Sequence, residues 1–210
     1  MAVLIIDIRV LLSANLVFLL NRRNICLKHS KKDCYRMTGT KFSLFRFLFS
    51  YITEHRVRFV YTYRKLQCIN KRRYLSRLVL FIYHRHLKTK YGLEINPDVK
   101  IGAGLQIAHP YNITINNGAV LGKNVNLAKG VSIGQENRGG RMGAPIIGNQ
   151  VYLGINSTVV GKVKIGNDVL VAPNSFVNCD VPSHSIVIGN PCRIIHRDNA
   201  TEGYVGFLVD

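Results

Sequence analysis

Residues 147–181 read IGNQVYLGINSTVVGKVKIGNDVLVAPNSFVNCDV, and an aliphatic residue returns at every sixth position of this stretch. The same period extends towards the N-terminus, and the aliphatic residues that follow it are Ile95, Ile101, Ile107, Ile113, Leu121, Leu127, Ile133, Ile147, Leu153, Val159, Ile165, Val171 and Val177. Every step is six residues except two: the step after Ile113 adds two residues, and the step after Ile133 adds eight. Four positions after most of these residues comes a second apolar one: Val99, Leu105, Val125, Val131, Val151, Val163, Val169 or Val181.

A period of six excludes the two simplest structures. An α-helix with 3.6 residues per turn cannot keep this period on one face, and a plain strand shows only alternation. Each hexad is therefore predicted to be a short strand plus a turn, with three hexads in a triangular coil and coils stacked about 4.8 Å apart. Glycines and three asparagines, Asn124, Asn149 and Asn167, are placed at corners that need permissive backbone dihedrals. The prediction is a mainly β protein whose repeats form a parallel β-helix.

The N-terminal part of the chain differs in composition. Residues 1–90 contain 20 Lys and Arg against 3 Asp and Glu, whereas residues 91–210 contain 9 against 8, and Gly39 is the only glycine before residue 91. Apolar residues in 42–90 recur at helical spacing and predict amphipathic helices, through the groups Phe45, Leu48, Phe49 and Ile52; Val57, Val60 and Arg64; and Leu75, Leu78, Val79, Ile82 and His86. We therefore divide the chain into an apolar and basic extension (1–41), a basic helical region (42–91), the β-helix (92–196) and a tail (197–210).

The positive charge of the helical region has three interpretations. It forms an ordinary solvated face, or it lies against an anionic membrane, where each Lys or Arg contributes on the order of 1 kcal/mol. Nucleic-acid binding also fits the charge, but no recognised nucleic-acid reader motif accompanies it, so we expect no nucleic-acid partner. The membrane interpretation predicts peripheral association at the inner face of the cytoplasmic membrane.

The cysteines and the N-terminal residues bear on location. The cysteines are odd in number, widely spaced and without a C-x-x-C pair, which favours a reducing cytoplasm over a secreted disulfide scaffold; they are Cys26, Cys34, Cys68, Cys179 and Cys192. Residues 4–20 are mostly apolar, but Asp7 and Arg9 interrupt them, so a membrane-spanning helix is the less favoured alternative. A biological start at Met37 is also left open.

Several motifs within 92–196 resemble the left-handed β-helix acyltransferase superfamily, and in particular its serine acetyltransferase branch. They are GLEINP at 92–97, GLQIAH at 104–109, SIG at 132–134, PIIGN at 145–149 and GNPCRII at 189–195. The resemblance implies a left-handed coil, acetyl-CoA as the acetyl donor and no metal. It also implies a homotrimer with the active site between neighbouring subunits.

His109 is the catalytic candidate. Transfer of an acetyl group to a hydroxyl needs a general base with a pKa near neutrality, and histidine is the usual one. Taken alone, a histidine in a repeat is more often a surface residue, but the resemblance places the family's catalytic histidine at this position. It also places an acidic partner fifteen residues earlier, at Glu94, which would orient the imidazole and stabilise its protonated form.

The acceptor site is assigned to the longer insertion and to one corner. The insertion, residues 135–145, is rich in glycine and is predicted to be a mobile loop that covers the site. The alternative is a surface loop without a function. Asn96, Arg138 and Arg141 are predicted to bind the acceptor.

Glu94 stands where the serine acetyltransferase family usually has aspartate, and three further residues depart from the family pattern. The family has an aspartate before its catalytic histidine, where this chain has Ala108, and an Arg-His pair in the loop, where it has Gly143 and Ala144. Because a zwitterionic amino acid needs charged partners, we expect a neutral acceptor. The predicted function is O-acetylation of a sugar or glycan of the capsule, O-antigen or exopolysaccharide type, either lipid-linked or polymeric. Serine O-acetylation is the alternative.

The resemblance also assigns a coenzyme site. Gly154, Ile155, Ala172 and Pro173 would lie along the pantetheine arm, and Lys162 and Arg193 would meet the phosphates. The alternative is that these residues serve corner geometry alone, and Pro173 has no N–H to donate. A metal-dependent hydratase would need three histidines at coil-related positions, and a non-catalytic scaffold would not need His109.

Overall fold

The structure is a computed structural model that describes residues 25–70 and 72–210, which exclude the apolar segment 4–20. In the described ranges, four helices precede fifteen strands. The helices are α1 (Ile25–Thr38), α2 (Leu44–Thr53), α3 (His55–Cys68) and α4 (Tyr74–Tyr91). The strands are β1 (Leu93–Ile95), β2 (Lys100–Ile101), β3 (Gln106–Ile107), β4 (Ile113–Ile115), β5 (Val120–Leu121), β6 (Asn126–Leu127), β7 (Ser132–Gly134), β8 (Ile146–Ile147), β9 (Val151–Leu153), β10 (Thr158–Val160), β11 (Lys164–Ile165), β12 (Val169–Val171), β13 (Phe176–Val177), β14 (Ser185–Ile188) and β15 (Arg193–His196). None of the described helices is long and apolar enough to cross a membrane.

Successive strands turn through the three faces of a prism. Sheet A has the order β1-β4-β7-β10-β13, sheet B the order β2-β5-β8-β11, and sheet C the order β3-β6-β9-β12-β14-β15. All neighbouring strands are parallel except β14 and β15, which are antiparallel. The predicted fold class, a parallel β-helix preceded by helices, is confirmed.

The interior of the prism is built from the aliphatic residues of the repeat. All thirteen positions of the six-residue period are buried. In sheet C, for example, Ile107, Leu127, Leu153 and Val171 are successive partners in four coils, and each is fully buried. Burial of one such side chain stabilises the fold by about 1.5–3 kcal/mol, so the column they form is a large part of the core.

The shorter insertion lies in a different place from the predicted one. In sheet A the partner of Ile95 is Ile115, whose partner in the next coil is Ile133. Ile115 therefore continues the period, and Ile113 comes two residues before it. The two extra residues lie between Ile107 and Ile113. The spacing was misread because Ile113 and Ile115 are both aliphatic and both buried.

The corners, named A/B, B/C and C/A after the sheets they join, use asparagine in two ways. Asn124 has the predicted left-handed backbone, with φ 59°. Asn149 and Asn167 are not among the residues with positive φ, so the prediction is wrong for them. The Asn149 side-chain oxygen instead accepts a hydrogen bond from the N–H of Lys123 in the preceding coil at 2.8 Å. The Asn167 oxygen accepts one from the N–H of Asn149, again in the preceding coil, at 2.7 Å.

The helices cover the open end of the β-helix. Strands β1, β2 and β3 are the last strands of their sheets, so their outer backbone groups lack a neighbouring strand. The buried Arg64 of α3 donates to the carbonyls of Ile101 and Gly102, both at 2.6 Å. The hydroxyl of Tyr63 donates to the carbonyl of Val99, also at 2.6 Å. Polar side chains from the helices thus replace the missing strand.

Asp33 completes this cover from α1, a helix that the sequence pattern did not predict. Its carboxylate accepts hydrogen bonds from the N–H groups of Gly104 at 2.8 Å and Leu105 at 2.9 Å. It also accepts from Arg64 at 2.8 Å, and both side chains are only 1% exposed. Part of the basic excess therefore caps backbone groups, a role that none of the three interpretations of the charge included.

The predicted helices at 42–90 are confirmed, and the stripe of Val57, Val60 and Arg64 in α3 is buried, but most residues of the predicted stripes of α2 and α4 are not. An amphipathic helix of a soluble protein normally buries its apolar stripe. Here the exposed residues include Phe45, Phe49 and Ile52 of α2 and Leu75, Leu78, Val79 and Ile82 of α4. The buried face of α4 consists instead of Leu80, Tyr83, His84, Leu87 and Tyr91.

Residues 197–210, which we call the strap, run back along the prism towards α1. The hydroxyl of Thr201 donates a hydrogen bond to the carboxylate of Asp168 at 2.6 Å. The side-chain amides of Asn126 and Asn124 donate to the carbonyls of Tyr204 and Val209, each at 2.9 Å. The guanidinium of Arg36 donates to the carbonyl of Gly206. The strap is thus held to the fourth coil, to the second coil and to α1. The division of the chain at residues 41, 91 and 196 stays a prediction.

The described cysteines include both a disulfide and free thiols. Cys68, the last residue of α3, is disulfide-bonded. Cys34, Cys179 and Cys192 are free thiols. The spacing of the cysteines did not predict the disulfide of Cys68.

Candidate active site

His109 lies on a bulge at a C/A corner. Ile107 is the partner of Leu127, and Thr114 is the partner of Ser132. Six residues separate Ile107 from Thr114, but only four separate Leu127 from Ser132. The two extra residues push the chain outwards at His109, so this departure from the period coincides with the catalytic candidate.

The backbone and the helices hold this bulge in place. His109 has φ 51°, in the left-handed region that non-glycine residues seldom adopt, while the following Pro110 is buried. The ring of Tyr111 lies 5.5 Å from that of His55 and 6.0 Å from that of Tyr91, measured between centroids. The His109 side chain is exposed and makes no hydrogen bond or ion pair with the described residues, so both ring nitrogens are open to a ligand.

Glu94 lies close to this corner without contacting His109. It is exposed at the centre of β1, and its partner is Thr114 in β4, the strand that follows the bulge. Within the described part of the chain, no hydrogen bond or ion pair joins Glu94 to His109. The pairing of the two side chains therefore stays a prediction.

The residues predicted to bind pantetheine lie on the same edge as His109. Because the strands before them are partners, Ala108, Ala128, Gly154 and Ala172 form a row of small residues along the C/A edge. The N–H groups of Gly154 and Ala172 donate to the next coil at 2.8 Å and are not free for a ligand. A Cβ on Gly154 would lie 2.7 Å from the backbone nitrogen of Pro173, so coil stacking by itself requires glycine there.

A cavity opens beside this row. Its volume is about 430 Å³, and Ala172 and Pro173 line it together with Leu170, Tyr152 and Tyr204. One wall therefore comes from sheet C and another from the strap. Ile155, one coil closer to His109, is 40% exposed, and its N–H donates no hydrogen bond to the described residues.

The residues assigned to the acceptor lie on the A/B edge instead. Asn96 follows β1, and its side-chain amide donates to Asn117 at 2.7 Å and accepts from Lys88 of α4. Lys162, assigned to the coenzyme phosphates, is also on this edge, between β10 and β11. Arg193 lies apart from both edges, at the start of the outermost strand of sheet C.

The insertion 135–145 leaves an A/B corner and closes on itself. An antiparallel bridge joins Glu136 to Gly143, and the Arg141 guanidinium binds the Glu136 carboxylate through two nitrogens, at 3.0 and 3.1 Å. The N–H of Lys162 holds the loop to the prism by donating to Arg141 at 2.8 Å. Arg138 is exposed near its tip.

One chain therefore does not bring all the predicted site residues together. Some lie along the C/A edge with His109, whereas Asn96, Arg138 and Arg141 lie on the A/B edge. Sequence reasoning missed Lys129, an exposed residue at a C/A corner. The carbonyl of Lys129 accepts a hydrogen bond from the N–H of Asn156, and the carbonyl of Ile155 accepts the corresponding bond from the N–H of Asn174 one coil later. Lys129 and Ile155 therefore occupy equivalent positions in successive coils. Lys129 follows Leu127 by two residues as Ile155 follows Leu153, so the period of six already aligns the two residues.

Metal ligands are not clustered in the part of the chain that the structure describes. No group of three or more His, Cys, Asp or Glu side chains there could hold an ion. His184, for example, lies at a B/C corner, and its Nδ1 atom is 2.9 Å from the carboxylate of Asp168. This corner is several coils away from the bulge that carries His109.

Comparisons with known proteins decide the family. The model of bacterial transferase hexapeptide repeats (six repeats) matches residues 144–179. A serine acetyltransferase of Helicobacter pylori is 32% identical over 142 residues, which cover 65% of this chain and 78% of that protein. The chain belongs to the serine acetyltransferase family. Serine acetyltransferase 4 of Arabidopsis thaliana is 38% identical over 105 residues, but the match spans 50% of this chain and only 30% of that protein.

The family's solved structures share the fold. A serine acetyltransferase in complex with CoA superimposes with a TM-score of 0.61 at 17% identity, covering 81% of this chain and 69% of that chain. The prediction of a sugar or glycan acceptor is contradicted, because the relatives that match are serine acetyltransferases. That prediction treated the absence of charge at Ala108, Gly143 and Ala144 as evidence for a neutral acceptor, although charge can come from other positions.

Proposed function

We propose that the protein is a serine O-acetyltransferase that uses acetyl-CoA as the donor. The relative from Helicobacter pylori supports this proposal, since most of its length matches. The observation that carries it is the position of His109, which projects from a two-residue bulge on the same edge as the row of small residues. Because the coils are about 4.8 Å apart, Ile155 lies about 10 Å from His109 along that edge, and Pro173 lies about 14 Å from it.

The chemistry follows from this arrangement. When bound, acetyl-CoA supplies an acetyl group activated as a thioester. The imidazole of His109 takes the proton of the serine hydroxyl as that oxygen attacks the acetyl carbon, and it returns the proton to the leaving sulfur. Glu94 holds the imidazole by its second nitrogen and stabilises the imidazolium. Along the edge, the small side chains leave room for the pantetheine arm, and Ile155 offers its free N–H.

Serine also needs a cation for its carboxylate, because this chain has Gly143 and Ala144 at the family's Arg-His pair. Lys129 is one coil, about 5 Å, from the bulge, too near His109 to meet coenzyme phosphates at the far end of the pantetheine arm. We therefore assign Lys129 to the serine carboxylate. Arg138, from the insertion of a neighbouring subunit, is the second candidate.

A homotrimer completes the site in this proposal. His109 and the coenzyme row lie on the C/A edge, whereas the insertion lies on the A/B edge of the same chain. A threefold arrangement that sets the C/A edge of one subunit against the A/B edge of the next brings the two sets together. Light scattering should then give three times the mass of one chain.

The decisive experiment compares three forms of the protein. Acetyl-CoA turnover with serine should fall about 10²–10⁴-fold in His109→Ala, because the general base is lost. His196→Ala, which removes an exposed histidine of β15, is the matched control and should keep full activity. No turnover of serine by the wild-type protein, or full activity of His109→Ala, would reject the proposal.

Lys129→Met tests the acceptor assignment separately. It should raise the KM for serine at least tenfold and leave the KM for acetyl-CoA unchanged. Lys123→Met, which removes an exposed lysine at a B/C corner, should change neither. A rise in the KM for acetyl-CoA would assign Lys129 to the coenzyme instead.

We also propose peripheral association of the helices with an anionic membrane. The exposed stripe of α4 supports this, since Arg77 and Arg85 flank it and α4 contains no acidic residue. The protein should float with vesicles that contain phosphatidylglycerol but not with phosphatidylcholine alone. Val79→Glu should abolish flotation, whereas Ile146→Glu, on an exposed face of sheet B, should not. Equal binding to both vesicles, or to neither, would reject this proposal.

A further inference from the structure

Two free thiols face each other at the C-terminal end of the β-helix. The Sγ atoms of Cys179 and Cys192 are 3.8 Å apart, and both residues are half-buried. Cys179 lies two residues after β13, and Cys192 lies directly before β15. Thirteen positions separate them in sequence, so the contact depends on the fold.

Backbone contacts already hold the two segments against each other. The N–H of Phe176, in β13, donates to the carbonyl of Gly189 at 3.1 Å. The N–H of Gly189 donates in turn to the hydroxyl of Ser175 at 3.0 Å. An S–S bond is about 2.05 Å long, so the sulfur atoms must approach by less than 2 Å. Side-chain rotation with a small backbone adjustment supplies this movement.

We propose that Cys179 and Cys192 form a reversible disulfide by exchange with a small-molecule disulfide such as oxidised glutathione. One protein thiolate attacks the reagent, forms a mixed disulfide and releases one glutathione thiol. The second protein thiolate then displaces the other glutathione. In total, two protein thiols lose two hydrogen atoms to the reagent, which leaves as two thiols.

The surroundings of Cys179 set the conditions for this exchange. Burial raises the pKa of Cys179, as do the hydrogen bond and charge of Cys192 and the charge of Asp180, while Arg141 opposes them. Since the thiolate is the attacking form, exchange through Cys179 is slow at neutral pH and accelerates as the pH rises.

The bond has two structural consequences. It closes the segment from 179 to 192 and restricts the unfolded chain, which should raise Tm by roughly 5–10 °C. It also fixes the backbone next to Arg193, the residue assigned to the coenzyme phosphates. Neither consequence depends on the identity of the acceptor.

Peptide mass analysis tests the proposal directly. No Lys or Arg lies between Ile165 and Cys192, so a single tryptic peptide, 165–193, contains both cysteines. After incubation of the full-length protein with oxidised glutathione, this peptide should lose the mass of two hydrogen atoms, and Tm should rise. A reductant should reverse both changes.

Single variants separate this reaction from nonspecific oxidation. Cys179→Ser and Cys192→Ser should each retain one glutathione on the remaining thiol and show no rise in Tm. Cys34→Ser, which removes a buried thiol of α1, is the matched control and should behave as the wild type. An unchanged peptide, two glutathione adducts on the wild-type peptide, or crosslinked chains would overturn the proposal.

Discussion

In the β-helix the buried side chains are mainly aliphatic, whereas in the helices they include Arg36, Arg64, Lys65 and His84. The difference arises from what each part packs against. Each coil of the β-helix meets another coil of the same kind, and the backbone groups of both are already paired. The helices meet the first coil, whose outer carbonyl and N–H groups lack a neighbouring strand, so polar side chains are buried there to bind them.

This comparison separates two sources of stability. The β-helix is stabilised by the apolar surface that many side chains bury together, so the replacement of any one of them lowers the free energy of unfolding moderately. The helical cover depends on a few hydrogen-bonded charges, where removal of one partner leaves another buried and unpaired. The largest effects of single substitutions are therefore expected at the junction of the two parts.

Arg64→Met tests the junction. The substitution should lower the free energy of unfolding by about 3–5 kcal/mol, because it leaves the buried Asp33 carboxylate without its cation. Arg77→Met, which removes an exposed arginine of α4, should change it by less than about 0.5 kcal/mol. Urea denaturation measures both. Equal effects of the two substitutions would show that the buried pair does not secure the junction.

Two leucines compare the cores. Leu153→Ala, in the fully buried column of sheet C, should cost about 2–5 kcal/mol in urea denaturation. Leu75→Ala, in the predicted stripe of α4, should cost less than about 0.5 kcal/mol, since that side chain is 75% exposed. A large cost at Leu75 in the isolated protein would mean that another surface covers the stripe in solution.

His84 adds a dependence on pH. Burial lowers the pKa of His84 to about 4, although its hydrogen bond with the Ile95 carbonyl at 3.1 Å opposes the shift. Between about pH 6.5 and pH 4 the unfolded chain binds a proton that the folded protein does not, so stability falls as the pH is lowered. The loss is on the order of 3 kcal/mol.

The matched variant is His84→Gln, which keeps a donor for the Ile95 carbonyl but does not titrate. Subtraction of its unfolding free energy from that of the wild type, measured from pH 7 to pH 4, removes the contributions of other groups. The difference should decrease towards low pH. A constant difference would mean that the pKa of His84 is the same in the folded and the unfolded protein.

The sequence predicted the β-helix well because the repeat packs against itself. Each buried position repeats in register, so spacing alone identifies the core. The error at Ile113 came from two buried isoleucines two residues apart, which spacing cannot distinguish. At α4 the error had another cause: the helix packs through Tyr83, His84 and Tyr91, and a hydropathy pattern does not identify such a face as buried.

The candidate site could be predicted only in part. His109 was found by resemblance, and its bulge agrees with a break in the period. Lys129 was missed because an exposed lysine at a corner leaves no mark on the aliphatic period. The relation between the two edges concerns neighbouring subunits, and no pattern within one chain specifies it.

The strap makes this solenoid differ from a simple row of repeats. In most solenoids each repeat contacts only its neighbours, so the ends can fray independently. Here Lys32 in α1 binds the carbonyl of Asp210, 178 positions later. Such distant contacts form late in folding. Until the strap has been synthesised, the first coil therefore lacks part of its support, and once the strap docks, both ends of the β-helix should melt in one transition.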